Sequence, residues 1–127
     1  MSEEMAVKSA QAVMTAHIDA LNRRDNPAIA ATLHFPHLRL SGTTLKIWED
    51  EASYLADFLA RAGDGWHRSE FADMRTLRAS HDKVHLDVEV RRYDGKDRLI
   101  ACFRSLWVLT SEGGRWAAKM RSSFAAA

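Results

Sequence analysis

The second half of this sequence is a series of long segments in which apolar and polar residues alternate, with turn residues between them. The clearest segment runs from Lys83 to Tyr93, and similar segments cover Ser69–Ala79 and Arg98–Thr110. A last strand is expected after Glu112-Gly113-Gly114. A period of two residues is typical of antiparallel strands that are buried on one face. One apolar face must therefore be covered, and it has to meet the elements that come earlier in the chain.

The first half of the sequence predicts helices. Apolar residues between Met5 and Leu21 recur at helical spacing, and Ser2 with two acidic residues after it suits a helix start, so a first helix should run to about Arg23. Asparagine and proline at 26–27 predict the start of a short second helix. That helix should carry Ile29 and Leu33 and should break at His34-Phe35-Pro36-His37, because the residue before a proline is pushed towards extended geometry.

A short hairpin and a third helix are predicted before the long strands. Alternation over 38–40 and 45–47 on either side of Gly42 indicates two paired strands. The third helix should open at Glu49-Asp50-Glu51 and end at Gly63-Asp64-Gly65, with one buried stripe along it. That stripe contains Tyr54, Leu55, Phe58 and Leu59.

Length and composition restrict the class of protein. A chain of 127 residues fits a single domain, 1–127, with 18 basic and 17 acidic residues and a formal charge of +1. Such a balance gives no field that would attract nucleic acid or an anionic membrane. The lone Cys102 excludes an internal disulfide, and no apolar leader follows the acidic start, so we expect a cytoplasmic protein.

The order of these elements resembles the nuclear transport factor 2-like (NTF2-like) superfamily, which includes ketosteroid isomerase and the SnoaL-like cyclases. The segments that carry the resemblance are His34–Arg39, Trp66–Ser69, Asp82–His85, Arg92-Tyr93 and Trp116–Phe124. The resemblance covers nearly the whole chain and implies an α+β cone, in which N-terminal helices pack on a strongly curved, mostly antiparallel sheet. It also implies a cavity between helices and sheet, and commonly a homodimer that is joined through the outer sheet face. The fold hosts enzymes and binding proteins alike, so it does not imply one reaction.

Aromatic and polar residues near the expected mouth of the cone are candidates for binding a ligand. Trp66 and His67 start the sheet, and Tyr54 has a phenol that needs a partner if it is buried. The alternative is that Trp66 covers the core while His67 stays in solvent. The predicted ligand-binding residues are His37, Trp48, Tyr54, Phe58, Trp66, His67, Arg104 and Arg121.

His34 and His37 flank Phe35-Pro36 and carry the imidazoles that could act as base, acid or metal ligand. An extended step of three residues places them on different sides, and no carboxylate lies nearby in sequence, so we expect no metal site. For His34 we expect a structural role, in which the ring caps the second helix by donating to an open carbonyl. His37 is expected at the mouth of the cavity.

Arg104 interrupts an apolar face of the third long strand, and a buried guanidinium needs a carboxylate or a bound anion. Arg104 is therefore a possible anion anchor, although pairing with a carboxylate is favoured. Arg121 could likewise pair with Glu89 or Asp87 on a dimer surface. Both faces of this strand are apolar, and we assign Phe103 to the outer face.

The carboxylates do not form a set that ketosteroid isomerase-like chemistry requires, namely a base in an apolar cavity with a nearby acid or phenol. Asp57 lies three residues after Tyr54, and Asp73 shares a strand face with Arg75, with which it could simply pair. The sequence contains no GxGxxG, P-loop, GxSxG or HExxH motif, so we expect no cofactor.

Three hypotheses for function follow. The first is that the protein binds a small, mostly apolar molecule in the cavity. The second is a cofactor-independent isomerase, dehydratase or cyclase, with His37 or His67 as the base and Tyr54 or Arg104 stabilising an oxyanion. The third is a dimeric interaction module that binds no ligand, with Phe103 and Trp107 on the outer face of the sheet.

Overall fold

The structure, a computed structural model, describes residues 2–61 and 65–125, with the backbone only for 59–61. Three helices and six strands follow one another in the order expected from the sequence. The helices are α1 (Glu3–Arg23), α2 (Asn26–Ala31) and α3 (Glu51–Arg61). The strands are β1 (Leu33–Ser41), β2 (Thr44–Trp48), β3 (Arg68–Ala79), β4 (Lys83–Tyr93), β5 (Leu99–Glu112) and β6 (Arg115–Ser123).

Both ends of α1 are held by specific contacts, and the sequence predicts those at its start. Ser2 accepts a hydrogen bond from the amide of Met5, and two glutamates lie in the first turn, where the helix dipole favours negative charge. The helix stops at Arg24, which adopts the left-handed conformation with φ of 57°. In the last turn of the helix, the Asn22 side chain donates to the backbone carbonyl of Ser69 and accepts from its backbone amide, each at 2.8 Å. The end of α1 is thereby attached to the start of β3.

The second helix is shorter than predicted. It ends at Ala31, and Leu33 belongs to β1, where it pairs with Ala118 of β6. The hydroxyl of Thr32 donates to the carbonyl of Ile29 and so satisfies one open group of the last turn. The prediction that Leu33 lies on α2 is therefore wrong, and the segment 34–37 is part of a strand.

The six strands form one sheet in the order β2-β1-β6-β5-β4-β3. Every neighbouring pair is antiparallel except β1 and β6, which are parallel. Helices and sheet meet over a core that includes Met14 from α1, Ile29 from α2 and Leu86 from β4, each fully buried. The predicted end of α3 at 63–65 lies largely outside the described residues. No helix within the described ranges is long and apolar enough to cross a bilayer.

Candidate functional site

A cavity of about 320 Å³ lies between the helices and the concave face of the sheet. Its wall combines residues of α1 and α3 with residues of β1, β3, β4, β5 and β6. The residues that line it are His17, Ile18, Leu21, Arg39, Tyr54, Phe58, Trp66, Ser69, Phe71, Val90, Arg92, Phe103, Ser105, Trp107, Arg121, Ser123 and Ala125. This volume is at the lower end of the range for small-molecule sites, which is about 300–1,000 Å³.

Aromatic side chains form most of the apolar wall. Tyr54 is 1% exposed, and its ring stacks on Phe58 with an interplanar angle of 10° and 6.4 Å between centroids. Phe71 meets Trp107 edge to face at 5.9 Å. The hydroxyl of Tyr54 has no hydrogen-bond partner among the described residues. Such a wall suits a flat or cyclic apolar group, with one phenol available for a polar contact.

Trp66 lines the cavity and is held in place from two sides. Its indole nitrogen donates to the hydroxyl of Ser69 at 2.8 Å. The guanidinium of Arg24 lies over its ring, 4.6 Å from the centroid. These contacts fix the orientation of the indole, so Trp66 presents a defined aromatic surface to the cavity.

Three arginines line the cavity, whereas no lining residue among those described is acidic. Arg121 lies between Arg39 on β1 and Trp107 on β5, since each is its direct partner in the strand register. Its guanidinium lies over the Trp107 ring, 4.9 Å from the centroid, and its Nε is buried without a hydrogen-bond partner. Burial lowers the pKa of Arg92 on β4. Among the described residues, Arg121 therefore brings to the cavity a guanidinium with no acidic partner.

His17 is the imidazole that reaches the cavity, and sequence reasoning missed it. Because Thr32 donates its hydroxyl hydrogen to Ile29 (2.7 Å), its oxygen accepts from Nδ1–H of His17 at 2.8 Å. The other ring nitrogen, Nε2, has no hydrogen-bond partner among the described residues. Burial, and to a lesser extent the charge of Arg121, lower the pKa of His17 to about 3. The ring is thus neutral at pH 7 and offers a lone pair.

A sequence signal for His17 did exist. It lies on the buried stripe of α1 with Ala10, Met14 and Ala20, at intervals of three or four residues. A histidine in that phase must face the sheet.

His37 and Trp48 are not among the residues that line the cavity, contrary to prediction. The ring of His37 is fully buried, donates from Nδ1 to the carbonyl of Ala118 at 3.0 Å and stacks on Trp48. Tyr54 meets His37 edge to face at 5.9 Å and is itself a lining residue. Burial is the main cause that lowers the pKa of His37 to about 3. His37 and Trp48 therefore support the aromatic wall from behind.

His34 does not cap α2, so this prediction is wrong. Its Nε2 donates to the carbonyl of Thr110 at 2.9 Å, and its Nδ1 accepts from Arg115 at 3.2 Å. Arg115 provides the cap instead, because it donates to the carbonyls of Ala31 (2.9 Å) and Leu33 (3.2 Å). A cap from so far along the chain has no local sequence signal.

The two faces of β5 are exchanged relative to the prediction. Phe103 and Trp107 line the cavity and pair with Val90 and Leu86 of β4, whose side chains are buried. They are therefore not on the outer face of the sheet. Arg104 lies on that face, where its guanidinium contacts Asp87 at 3.0 Å and Asp73 at 3.2 Å. Arg104 is therefore not a lining residue of the cavity, and it makes the pairing with carboxylates that the sequence favours.

Arg121 does not pair with Asp87 or Glu89, because it lines the cavity, whereas those carboxylates contact Arg104 on the outer face. A register shift between Val108 and Leu109 in the β5–β6 ladder changes the phase of β6. As a result, Ala118 on one side of the shift is in the core, and Arg121 on the other side lines the cavity.

His67 is exposed and lies outside the cavity lining. Its backbone carbonyl accepts from Arg24 at 2.9 Å, and its amide donates to the carbonyl of Tyr93 at 2.8 Å. Of the eight residues predicted to bind a ligand, Tyr54, Phe58, Trp66 and Arg121 line the cavity.

The two carboxylates considered as bases have partners elsewhere. Asp57 accepts from Lys46 at 2.9 Å and from the indole of Trp48 at 3.0 Å. Asp73 pairs with Arg75 at 3.0 Å, as expected from the sequence, and hydrogen bonds from Arg75 and Arg104 hold the pKa of Asp73 below its usual value. Within the described residues, no group of three or more His, Cys, Asp or Glu side chains could hold a metal ion.

Comparison with known proteins identifies the fold. No protein-family model and no curated protein matches the sequence. Among solved structures, an NTF2-like protein of unknown function from Pseudomonas putida is similar with a TM-score of 0.78 and 17% identity, covering 99% of this chain and 90% of that one.

Two further solved structures support the same fold. An NTF2-like protein of unknown function from Shewanella oneidensis has a TM-score of 0.75 and 14% identity, covering 94% of this chain and 99% of that one. A ketosteroid isomerase-like protein from Erwinia carotovora atroseptica has a TM-score of 0.67 and 17% identity, covering 94% and 96%. This chain therefore has the α+β cone of the NTF2-like proteins, as the sequence predicts.

Proposed function

We propose that residues 1–127 form a single ligand-binding domain that holds a small, mostly apolar molecule in the cavity between helices and sheet. The observation that carries this proposal is the cavity itself, which stays open although the side chains of six Phe, Trp and Tyr residues line it. Protein cores are normally packed to the density of organic crystals, and an empty space of this size costs stability. A bound ligand would offset that cost. Orientation of the ligand would come from Tyr54, Trp66 and Arg121, and no cofactor is needed.

The test is a thermal-shift titration of the full chain with one-ring and two-ring aromatic compounds, neutral and charged. A compound that occupies the cavity should raise the unfolding midpoint in proportion to the logarithm of its concentration. Quenching of tryptophan fluorescence gives a second readout, because Trp66 and Trp107 line the cavity.

A matched pair of variants distinguishes cavity binding from binding elsewhere. Ser105 lines the cavity, whereas Ser122 pairs with Leu106 and Leu40 on the outer face of the sheet. Ser105→Leu should abolish the shift by filling the cavity, and Ser122→Leu should leave it unchanged. If Ser105→Leu retains the full shift, the compounds bind outside the cavity and the proposal fails.

A cofactor-independent isomerase, dehydratase or cyclase is the second candidate function. The observation in its favour is His17, whose Nε2 lone pair accompanies the cationic Arg121 in the cavity. A ring with a pKa of about 3 is a weak base at neutral pH, so binding without turnover has the better support. The test is isomerisation of a β,γ-unsaturated cyclic ketone, followed by the absorbance of the conjugated product. Turnover that His17→Asn abolishes would favour the enzyme.

We also infer a cytoplasmic homodimer that is joined through the outer face of the sheet. Side chains on one side of β2, β1, β6 and β5 form an outer apolar patch, which consists of Leu38, Leu40, Leu45, Ile47, Val108 and Met120. Leu45 and Ile47 are 54% and 52% exposed. Contiguous exposed apolar surface of this kind marks an interaction site. An exposed single cysteine, Cys102, suits a reducing compartment.

A further inference from the structure

The charged residues described in the cavity lining are all arginines. Arg39, Arg92 and Arg121 contribute three positive charges, and the described part of the lining contributes no carboxylate. On the outer face of the same sheet, by contrast, Arg104 contacts Asp87 and Asp73, so arginines there are neutralised. A guanidinium beside an apolar cavity is costly to the unliganded protein unless an acceptor or a counter-charge satisfies it.

Arg121 shows this imbalance most clearly. It makes no ion pair or hydrogen bond with any described residue, and its Nε is buried. Its one contact of note is the face of Trp107, which fixes the plane of the guanidinium but supplies no acceptor. The terminal nitrogens are the part of the group that a molecule in the cavity can reach. After burial, the same charge is the next cause that lowers the pKa values of His17 and His37.

The surroundings of Arg121 suit a carboxylate. A planar guanidinium matches the two oxygens of a carboxylate in a bidentate pair. Ser105 and Ser123, which are direct partners across β5 and β6, line the cavity beside it and carry hydroxyls that can donate. Phe71, Phe103 and Tyr54 form the apolar remainder of the wall.

We propose that the molecule held in this cavity is an organic acid, with a cyclic apolar body against the aromatic wall and a carboxylate that binds the guanidinium of Arg121. This inference rests on the proposed function and specifies its ligand class. Arg92, which pairs with Ser69 in the strand register and also lines the cavity, would add to the attraction for the acid.

The experiment compares acids with their own primary amides on the unaltered full chain. Benzoate, cinnamate and 2-naphthoate are titrated against benzamide, cinnamamide and 2-naphthamide, with tryptophan quenching and thermal shift as readouts. Acid and amide have nearly the same shape, so a difference in affinity reports the charge. At least one acid should bind about tenfold or more tighter than its amide, because charge-assisted hydrogen bonds are roughly twice as strong as neutral ones. The preference should shrink as salt is raised.

Variants then test whether Arg121 is the positive charge that binds the carboxylate. Arg121→Gln should reduce the affinity for the acid to that of the amide and leave the amide affinity unchanged. Arg121→Lys should restore part of the preference, since it keeps the charge but loses the planar fork. Arg75→Gln is the matched control, because Arg75 is exposed and pairs with Asp73 away from the cavity. It should bind the acid as the unaltered protein does.

The outcomes separate this inference from the proposed function. If amides bind as tightly as acids, or if Arg121→Gln keeps the preference for acid, the carboxylate inference is overturned while the cavity still binds apolar molecules. If neither acids nor amides bind, both proposals fail. The comparison of acid with amide needs no variant, so it remains decisive even if Arg121→Gln does not fold.

Discussion

The guanidinium of Arg121 lies 4.9 Å from the centroid of the Trp107 ring, and this pair joins the aromatic wall of the cavity to its positive charge. The two residues are direct partners in the β5–β6 ladder, so the sheet itself sets their spacing. With no described carboxylate to neutralise it, Arg121 is placed for a ligand at some cost to the unliganded fold.

The stability cost of an unpaired Arg121 at the cavity can be measured. Replacing Arg121 by methionine removes an unpaired, partly buried charge and keeps an unbranched side chain over Trp107. We expect the free energy of unfolding without ligand to rise by up to about 1 kcal/mol, because functional sites often trade stability for activity. Urea unfolding at pH 7 measures this change, and Arg75→Met is the surface control. A fall of more than about 1 kcal/mol would show that Arg121 stabilises the fold.

Stability should fall in mild acid because of the two buried histidines. The pKa of both His17 and His37 is lowered from 6.5 to about 3, so the unfolded chain binds protons at a pH where the folded chain does not. Above pH 6.5 both histidines are neutral in the folded and the unfolded chain, so they do not lower the stability. As the pH falls from 6.5 towards 3, stability is lost progressively. Each histidine should remove about 1.4 kcal/mol of unfolding free energy per pH unit in that interval.

Denaturant unfolding between pH 6 and 4.5 tests this slope. His37→Asn retains a donor for the carbonyl of Ala118 but cannot titrate, so the slope should become shallower by one histidine. His81 is exposed at the β3–β4 turn and provides the control, as His81→Asn should leave the slope unchanged. A slope that is equal in His37→Asn and in the unaltered protein would mean that His37 binds protons equally in the folded and unfolded states, contrary to a lowered pKa.

Arg115 should stabilise the junction of α2 and β1. Arg115→Ala removes the donors to the carbonyls of Ala31 and Leu33 and to His34. We expect a loss of about 1–2 kcal/mol in unfolding free energy, since these hydrogen bonds have no replacement within the chain. Hydrogen exchange should speed up in α2 more than in α3. Arg98→Ala, which removes an exposed pair with Asp94, should cost less; equal costs would argue against the cap.

Association through the outer apolar patch is testable with a single charge. Ile47→Lys places an ammonium on the β2 side of the patch, beside Leu38, and should convert a dimer into a monomer, as measured by sedimentation equilibrium. Leu77 is equally exposed, at 58%, but lies on β3, at the other edge of the sheet. Leu77→Lys should leave the association unchanged, and a monomeric Leu77→Lys variant would place the contact elsewhere.

The sequence predicts the elements well where one periodicity dominates. Lys83–Tyr93 is a strand with the predicted bounds, and α1 ends at Arg23 as expected. The prediction fails on β5, because both faces of that strand are apolar and the alternation does not show which face points to the core. The alternation correctly separates Arg104 from Phe103, but burial against α1 and β4 decides their sides.

Two other features depend on long-range contacts. The register shift at Val108 and Leu109 brings Arg121 to the inner side, and no turn residue marks it. Arg115 caps a helix that ends 84 residues earlier, at Ala31. His17 is different, because its helical phase alone predicts a buried ring; only its partner Thr32 required the structure.

The parallel pairing of β1 with β6 also has a consequence for how the cavity comes into being. β1 belongs to the first third of the chain, and its partner β6 is the sixth strand in chain order. The two therefore meet only when nearly the whole domain has been synthesised. Contacts that are so distant in sequence form late and slowly. Arg121 and Ser123 arrive with β6, and a partly made chain therefore lacks the part of the wall that β6 forms and the guanidinium of Arg121. Until then, the inner edge of β1 is an open strand that chaperones or neighbouring chains can reach.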